Sequence, residues 1–219
     1  MQETNVDIAI LCETLLKDKE KIPIPGYVPI PKARTSGPLG GGLLFLIKNK
    51  LAPNTTAFIP LPPNTTADEN DEHMFIRINS QPPLFIGCFY GKQETDPTED
   101  AQHALNKLQD SITKLKTQGK VIIIGDFNAK INSQNDGTPS RNGQMLINLC
   151  AQESLNILND SPICQGKWTW EKNLKRSTID YAIASPEVEL SLKSMIIDEE
   201  HWYKLRSKKN KSQTTMRLS

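Results

Sequence analysis

The chain has 219 residues, 37% of them hydrophobic, and a formal net charge of +1. This length suits one domain with a sizeable core, and the near-zero charge excludes a strongly basic nucleic-acid binder. No run approaches the roughly 18 apolar residues of a membrane span, and the first residues lack the basic and apolar regions of a secretory signal. The sequence therefore predicts an intracellular protein with no membrane partner.

The first half of the chain predicts four strands, the first two of them buried, separated by irregular segments. Residues 21–38 are rich in proline and glycine and predict mostly loop, and residues 52–71 are predicted to be irregular. A turn at Gln81-Pro82-Pro83 joins the last two strands as a pair. The predicted strands are Asp7–Cys12, Gly41–Ile47, Met74–Ile78 and Leu84–Tyr90.

The second half predicts helices between further strands. The clearest helix is Thr98–Gln118, whose apolar residues recur at helical spacing; they are Ala101, Ala104, Leu105, Leu108, Ile112 and Leu115. The other elements are strand Val121–Ile124, helix Met145–Gln152 and strands Ser177–Ala184 and Ser194–Ile197. Strand pairs between helices predict an α/β protein with mixed sheets.

Residues 1–203 are predicted to form one domain, and residues 204–219 an unstructured tail. The tail holds six basic residues and no acidic one. Such a tail can contact phosphates, but a solvated, frayed terminus explains it equally well. The four cysteines, Cys12, Cys88, Cys150 and Cys164, form no C-x-x-C pair. Buried free thiols are favoured over disulfides or a zinc site.

Several predicted strands deliver a polar side chain at one end. Asp126 follows a buried strand and Asn128 lies two residues later, while Glu13 and Tyr90 end two other strands and Asp180 lies near the start of a fourth. Taken singly, these residues read as a turn signal, a helix-start carboxylate, a rim aromatic and a salt-bridged strand residue. Together, carboxylates and an amide from separate strands are what metal-assisted phosphoryl chemistry needs.

Three sequence motifs occur in the order that is typical of a known protein family. They are Asp7-Ile8-Ala9-Ile10-Leu11-Cys12-Glu13-Thr14, Gly125-Asp126-Phe127-Asn128-Ala129 and Ser177-Thr178-Ile179-Asp180-Tyr181, with Tyr90 between the first two. In these motifs the chain resembles the endonuclease/exonuclease/phosphatase superfamily. It is most similar to the apurinic-type endonuclease domain of LINE-type non-LTR retrotransposons.

The resemblance implies a fold, a reaction and a cofactor. The fold is a four-layer α/β sandwich, with two mixed β-sheets packed face to face and helices outside. The reaction is hydrolysis of DNA phosphodiester bonds by a monomer, with Mg²⁺ or alternatively Mn²⁺, in the nucleus.

The resemblance also implies roles for individual residues. Glu13 and Asp126 bind the metal, and Asp126 orients or deprotonates the attacking water. Asn128 contacts the phosphate or the metal. Tyr90 stabilises charge on the phosphate, and Asp180 supports the site.

Two parts of the family pattern are missing. The family places a strand and an asparagine before the Asp7 motif, where this chain has six residues, so the N-terminal strand is expected to be missing. The closing Ser-Asp-His motif is expected near Lys211–Thr215, which holds Ser212 but no Asp-His pair. His201 is an alternative to the missing histidine. Because glutamine and threonine are not general bases near neutral pH, impaired activity is expected.

Three hypotheses remain open at this point. The first is a retrotransposon-derived nuclease acting on DNA. The second is a catalytically dead remnant that binds nucleic acid or a protein. The third is another phosphodiesterase of the superfamily, acting on phosphoinositides, sphingomyelin or RNA. A truncated element copy, a faulty gene model and a domesticated remnant would all explain the missing motifs.

Overall fold

The structure is a computed structural model that describes residues 6–16, 23–33, 41–58, 72–131, 138–173, 175–199 and 216–218. Its contacts divide the chain into two compact units that interleave along the sequence, where the sequence predicts one domain. The first unit comprises Met1–Tyr90 and Asn106–Gly125, and the second Gly91–Leu105 and Asp126–Ser219.

The strands account for most of the regular structure. In chain order they are β1 Ile8–Cys12, β2 Tyr27–Lys32, β3 Leu43–Lys48, β4 Thr55–Phe58, β5 His73–Ile78, β6 Leu84–Tyr90, β7 Lys120–Asp126, β8 Asn156–Ile157, β9 Cys164–Gln165, β10 Trp170–Lys172, β11 Lys175–Ser177, β12 Asp180–Ala184, β13 Met195–Ile197 and β14 Met216–Leu218. The helices are α1 Thr98–Lys116, α2 Arg141–Glu153 and α3 Pro186–Glu189, with 3₁₀ turns at Ala52–Asn54 and Leu158–Asp160. None of the helices in the described ranges is long and apolar enough to cross a membrane.

Two sheets pack face to face in the first unit. One has the strand order β1-β3-β2, and the other contains the run β4-β5-β6-β7. Buried side chains of β3 pack against buried side chains of β5 and β6, and half-buried residues of β1 complete this core. The buried members are Leu43, Phe45, Ile47, Met74, Ile76 and Cys88. Packing between the two sheets therefore explains the burial of alternate residues of β3, namely Leu43, Phe45 and Ile47.

Two strands lie where the sequence predicts irregular structure. β2 contains Pro29 and Pro31 and pairs with β3 at the edge of its three-stranded sheet. Proline is tolerated at a sheet edge because an edge strand can leave some backbone N–H positions unpaired. β4 pairs antiparallel with β5, with Phe58 opposite Phe75. The loop predictions for residues 21–38 and 52–71 are therefore wrong at β2 and β4.

The other first-half strands and the long helix agree with the sequence prediction. β5 and β6 form the expected antiparallel pair, with Ile78 opposite Leu84 across the turn. Helix α1 begins at Thr98 and ends at Lys116. Its predicted apolar face is confirmed as buried at Ala101, Leu105, Leu108, Ile112 and Leu115.

Helix α2 of the second unit begins four residues earlier than the sequence predicts. Ser140 is its N-cap, and the Ser140 hydroxyl accepts a hydrogen bond from Gly143 N at 3.1 Å. A serine N-cap satisfies an N–H group that the first helical turn otherwise leaves unpaired. Glycine is unfavourable within a helix, so Gly143 made the sequence predict a later start. A Cβ at this position would lie 2.0 Å from Lys130 O. The helix therefore needs glycine where it approaches the backbone after β7.

The predicted strand Ser177–Ala184 is interrupted. β11 ends at Ser177 and β12 begins at Asp180. Thr169 Oγ1 accepts hydrogen bonds from both Ile179 N and Asp180 N, at 3.0 Å each. These two backbone donors are thus bound to a side chain instead of to a neighbouring strand.

The C-terminal part of the second unit contains a small mixed sheet. β13 pairs parallel with β9 and antiparallel with β14. Met216–Leu218 therefore form a strand, in contrast to the unstructured tail predicted for this stretch. Residues 200–215, with His201 and the Lys211–Thr215 segment, lie outside the described residues.

Candidate functional site

Glu13 and Tyr90 come together in the first unit. β1 ends at Cys12, immediately before Glu13, and β6 ends at Tyr90. The Tyr90 hydroxyl donates a hydrogen bond to Glu13 Oε1 at 2.5 Å, and both residues are half-buried. This contact orients the carboxylate and leaves its second oxygen for another ligand.

The backbone at Glu13 has an unusual conformation. Its φ is +53°, a left-handed value that a non-glycine residue rarely adopts. The turn is held by hydrogen bonds from Thr14 N to Gly42 O at 3.1 Å and from Leu15 N to Gly41 O at 3.0 Å. Gly42 N in turn donates to Glu72 Oε2 at 3.2 Å. Such strain is maintained only where surrounding contacts determine it, and it is enriched at functional sites.

Two cysteines lie beside this pair of residues. Cys12 and Cys88 have their Sγ atoms 3.6 Å apart, and Cys12 Sγ is also 3.6 Å from Phe89 O. Burial, and then the contact with Cys12, raises the pKa of the Cys88 thiol. All four cysteines are free, as predicted, although Cys12 and Cys164 are only half-buried. The raised pKa keeps the Cys88 thiol protonated, so it meets Cys12 as an uncharged group.

Asp126 and Asn128 form a compact turn in the second unit. Asp126 is the last residue of β7, and its Oδ1 accepts a hydrogen bond from Asn128 N at 2.8 Å. Asn128 has a φ of +48°. Gly91 connects to both residues, because Gly91 N donates to Asp126 O at 2.7 Å and Asn128 Nδ2 donates to Gly91 O at 2.9 Å.

The orientation of the Asn128 amide follows from this contact. Gly91 O is an acceptor only, so the amide nitrogen must face it and Oδ1 points elsewhere. The turn therefore presents a carboxylate and an amide oxygen within three residues. Both are hard oxygen ligands of the kind that Mg²⁺ prefers.

A glycine directly before Asp126 predicts a sharp turn of the backbone, but Gly125 has a different role. It lies within β7 and has no left-handed φ, so it does not supply a sharp turn. A Cβ there would lie 1.9 Å from Phe89 O. The glycine is thus required by the close approach of β6 and β7.

The second and third motifs are joined directly within the second unit. Phe127 N donates to Ile179 O at 2.9 Å. The rings of Phe127 and Tyr181 meet edge-on at 6.2 Å between centroids. The Tyr181 hydroxyl accepts from Ile131 N at 3.2 Å and donates to Thr178 O at 3.1 Å. Burial raises the pKa of Tyr181, so the hydroxyl stays protonated and keeps both contacts.

Asp180 is the first residue of β12, as the sequence predicts. Its backbone is held from two directions. Asp180 N donates to Thr169 Oγ1 at 3.0 Å, and Asp180 O accepts from Asn159 Nδ2 at 3.1 Å. Asn159 Oδ1 also accepts from Ala182 N at 3.0 Å. The start of β12 is therefore fixed by two polar side chains that sequence reasoning did not single out.

Sequence reasoning also missed the residues at the N-terminus of α2. Arg141 and Asn142 both donate to backbone carbonyls of the segment before α1. Asn142 is 3% exposed and also donates to Asn128 O. A polar residue in a first helical turn normally reads as solvent-facing, so only the tertiary contacts reveal it. The cap signature Ser140-Arg141-Asn142-Gly143 was the available signal.

The predicted metal ligands are Glu13 and Asp126, and their side chains can be matched to the coordination that Mg²⁺ prefers. No cluster of three or more His, Cys, Asp or Glu side chains suited to a metal occurs in the described ranges. Mg²⁺ is commonly held by one or two carboxylates together with waters and substrate phosphates. Glu13 and Asp126 supply carboxylates of that kind, so the residue types fit the ion. That Glu13, Tyr90, Asp126, Asn128 and Asp180 serve one site stays a prediction.

The model of the endonuclease-reverse transcriptase family matches residues 84–206. No curated protein sequence matches the chain.

Similar solved structures are nucleases and a phosphatase. The endonuclease domain of TRAS1, a telomere-specific non-LTR retrotransposon, is 17% identical, with a TM-score of 0.67, covering 97% of this chain and 84% of that one. The 3′ phosphatase NExo from Neisseria, bound to a product DNA hairpin, is 16% identical, with a TM-score of 0.67 and coverages of 97% and 88%. The catalytic domain of Xenopus laevis APE2 is 16% identical, with a TM-score of 0.68 and coverages of 98% and 84%.

At these identities the structural likeness establishes the fold, and it confirms the predicted α/β sandwich with mixed sheets. The family match includes the G-D-F-N and S-T-I-D-Y motifs and covers more than half of the 219 residues. The resemblance to endonuclease/exonuclease/phosphatase proteins, which are hydrolytic nucleases or phosphatases, is thereby confirmed. The chain belongs to the endonuclease-reverse transcriptase family.

Proposed function

We propose that the chain is a Mg²⁺-dependent phosphodiesterase of endonuclease type that hydrolyses DNA phosphodiester bonds and derives from a non-LTR retrotransposon. The observation that carries the proposal is the turn at Asp126 and Asn128, where hydrogen bonds hold the Asp126 carboxylate and the Asn128 amide group. The family match supports the reaction class. The DNA hairpin bound to NExo and the retrotransposon endonuclease TRAS1 support the substrate and the origin.

Glu13 and Asp126 are proposed to hold the metal. Mg²⁺, when bound, neutralises negative charge that develops on the phosphate. The proposal for this pair rests on the residue types and on the order of the motifs along the chain.

Asp126 is proposed to orient the attacking water and accept its proton. Its Oδ1 already accepts Asn128 N, so that bond fixes the direction of the carboxylate. Asn128 is proposed to contribute Oδ1, since its Nδ2 is used by Gly91 O. Asp180 supports this group from the start of β12, where Ile179 O binds Phe127 N.

Tyr90 is proposed to orient Glu13. A phenol has a single proton to donate, and here that proton is donated to the Glu13 carboxylate. The predicted stabilisation of phosphate charge by Tyr90 requires the same proton to turn towards the substrate. The two roles therefore alternate and cannot operate at the same moment.

The proposed activity is slower than that of an intact relative. The sequence contains three histidines, and none follows an aspartate. His73 is buried beside Phe75, with its Nε2 3.3 Å from Ser111 Oγ, and His103 is exposed on α1. Loss of a general acid or base typically costs about 10²–10⁴-fold in rate. This same deficit favours a second candidate function, a non-catalytic remnant that binds nucleic acid or protein.

The test is nicking of supercoiled plasmid with Mg²⁺ by the chain and by Asp126→Asn and Asp126→Ala variants. Asp126→Asn is the sharper control, since an amide oxygen can still accept Asn128 N and keep the turn. We expect slow nicking by the parent chain, absence of nicking in EDTA, and loss of activity in both variants with little change in melting temperature for Asp126→Asn.

The outcomes separate the two candidate functions. Nicking that persists in Asp126→Asn shows a contaminant or another site and contradicts the proposal. Plasmid binding without any nicking in Mg²⁺ or Mn²⁺ establishes the non-catalytic remnant instead.

A further inference from the structure

The N-terminus of α2 holds the turn that carries Asn128. Asn142 Nδ2 donates to Lys92 O at 2.8 Å and to Asn128 O at 3.1 Å. Asn142 N donates to Glu94 Oε1 at 2.9 Å, and the residue is 3% exposed. One buried amide therefore ties the turn after β7 to the segment after Gly91.

The orientation of the Asn142 amide is determined by its neighbours. Lys92 O and Asn128 O are both acceptors, so only the NH₂ group can face them. Asn142 Oδ1 faces Arg141 Nε at 3.3 Å, which is a donor. A flipped amide would place oxygen against two carbonyl oxygens inside the protein, and a buried clash of acceptors is costly.

Arg141 holds the same segment further along. Its Nη1 donates to Asp96 O and Thr98 Oγ1 at 3.0 Å each, and its Nη2 donates to Gln93 O at 3.2 Å. Residues 92–98 are thus fixed to α2 by two adjacent side chains. The same segment begins beside Gly91, whose carbonyl binds Asn128 Nδ2.

These contacts leave Asn128 little freedom. Its carbonyl is bound by Asn142, its N–H by Asp126 and its Nδ2 by Gly91. Its left-handed φ of +48° is a conformation that a free chain would leave. Within the described residues Asn128 Oδ1 accepts no hydrogen bond. The hydrogen bonds to the other polar groups of Asn128 therefore determine the direction in which Oδ1 points.

We infer that Asn142 is a positioning residue that sets the direction of Asn128 Oδ1 through the Asn128 and Lys92 carbonyls. This inference rests on the proposed function. Asn142 touches neither substrate nor metal in this role and acts through Asn128. A displacement of about 1 Å in such a site can lower the rate ~10²-fold.

The test compares Asn142→Ala with Leu149→Ala on the full chain. Leu149 is 3% exposed and lies on the same helix, seven residues further along, so its truncation destabilises α2 without removing a bond to Asn128. Both variants are assayed for Mg²⁺-dependent nicking at a temperature where circular dichroism shows each to be folded. Amide hydrogen exchange is measured in parallel at Asn128 and at Leu158, a buried residue elsewhere in the second unit.

We expect Asn142→Ala to nick about 10–10²-fold more slowly than Leu149→Ala, with exchange at Asn128 accelerated more than exchange at Leu158. Leu149→Ala should accelerate both amides to the same degree, because global opening exposes them together. Equal nicking rates in the two variants, or equal acceleration of both amides in Asn142→Ala, would overturn the inference.

The exchange measurement is independent of activity. If the parent chain shows no Asp126-dependent nicking, the proposed function fails, and exchange at Asn128 alone decides whether Asn142 positions that residue. An Asn142→Asp variant completes the series. It keeps the size of the side chain but turns an oxygen towards Lys92 O and Asn128 O, so it should accelerate exchange at Asn128 as Asn142→Ala does.

Discussion

The ends of β7 and β1 both carry an acidic residue beside a left-handed backbone, yet they are held differently. At the end of β7, the turn through Asn128 is bound by the side chain of Asp126, by Gly91 and by Asn142. At the end of β1, Glu13 is bound through its side chain by Tyr90, and the next two residues are held by backbone bonds to Gly42 and Gly41.

The quality of the two networks differs as well. At the β7 turn the buried Asn142 amide has partners for both its oxygen and its nitrogen, and the N–H and carbonyl groups of Asn128 are both hydrogen-bonded. After β1, Thr14 Oγ1 is buried without a hydrogen-bond partner among the described residues, and Leu15 is 60% exposed. The comparison indicates that the turn at Asp126 and Asn128 is preorganised, whereas the direction of the Glu13 carboxylate depends mainly on one hydrogen bond.

The largest effect is expected from Glu13→Gln. Glutamine keeps an oxygen that can accept the Tyr90 hydroxyl but removes the charge offered to the metal. Plasmid nicking should fall about 10²–10³-fold, as for loss of one group that stabilises transition-state charge. The measurement is the initial nicking rate at saturating Mg²⁺, and an unchanged rate would remove Glu13 from the site. Glu99→Gln, on the exposed first turn of α1, serves as the control.

Tyr90→Phe should have a smaller effect that appears mainly in metal dependence. The ring stays packed, but the donor to Glu13 Oε1 is lost. Loss of a hydrogen-bonding partner to a metal ligand typically costs about 10–10²-fold in metal affinity or activity. The Mg²⁺ concentration giving half-maximal nicking should therefore rise. A lower maximal rate at an unchanged Mg²⁺ midpoint would instead assign Tyr90 to the phosphate.

Ser140→Ala should lower the stability of the protein by weakening the N-terminus of α2, which binds the turn after β7. The hydroxyl caps α2 by accepting Gly143 N and also accepts Lys130 N, both at 3.1 Å. Loss of a serine cap costs about 1 kcal/mol of the free energy of unfolding, measured by urea titration. Ser191 is exposed and its hydroxyl donates to Val188 O, three residues earlier, at 2.7 Å. Ser191→Ala is therefore the control for loss of a local serine hydrogen bond, and it should change that free energy by less than about 0.5 kcal/mol. An equal effect of both substitutions would show that the Ser140 cap does not stabilise the protein more than an exposed serine hydroxyl does.

Thr14→Val should have the smallest effect and the opposite sign. Valine matches threonine in shape and removes a buried hydroxyl that has no partner in the described part of the chain. The free energy of unfolding should stay unchanged or rise by up to about 1 kcal/mol. In the control Thr55→Val, the lost hydroxyl donates to Leu51 O at 2.9 Å, so stability should fall. A loss in Thr14→Val as large as that in Thr55→Val would mean that the β1 end is as well satisfied as the β7 turn.

The elements found from the sequence are those whose pattern reflects burial. The apolar runs of β1, β3 and β7 and the helical spacing of α1 follow directly from their contact with a core. β2 was missed because its prolines are typical of loops, and they are tolerated there only because the strand lies at an edge. The edge position of β2 depends on how the whole sheet is assembled, and the sequence of this segment alone does not reveal it.

The candidate site shows the same division. Asp126 and Asp180 lie at strand ends, where the motif pattern places them. Asn142, Thr169 and Tyr181 act by binding backbone groups of distant segments. The local sequence does not show which distant carbonyl or N–H group a side chain will bind, so these contacts could not be predicted without the fold.

The central claim is that Glu13 and Asp126 serve one metal-dependent reaction, and a double-mutant cycle tests it most directly. Single-turnover nicking rates are measured for the parent chain, Glu13→Gln, Asp126→Asn and the double variant, in Mg²⁺ and in Mn²⁺. Residues that act as a unit are strongly non-additive, so the double variant should be no more than about threefold slower than the slower single variant. Rate losses that multiply in the double variant would show that the two carboxylates act independently and would contradict the account.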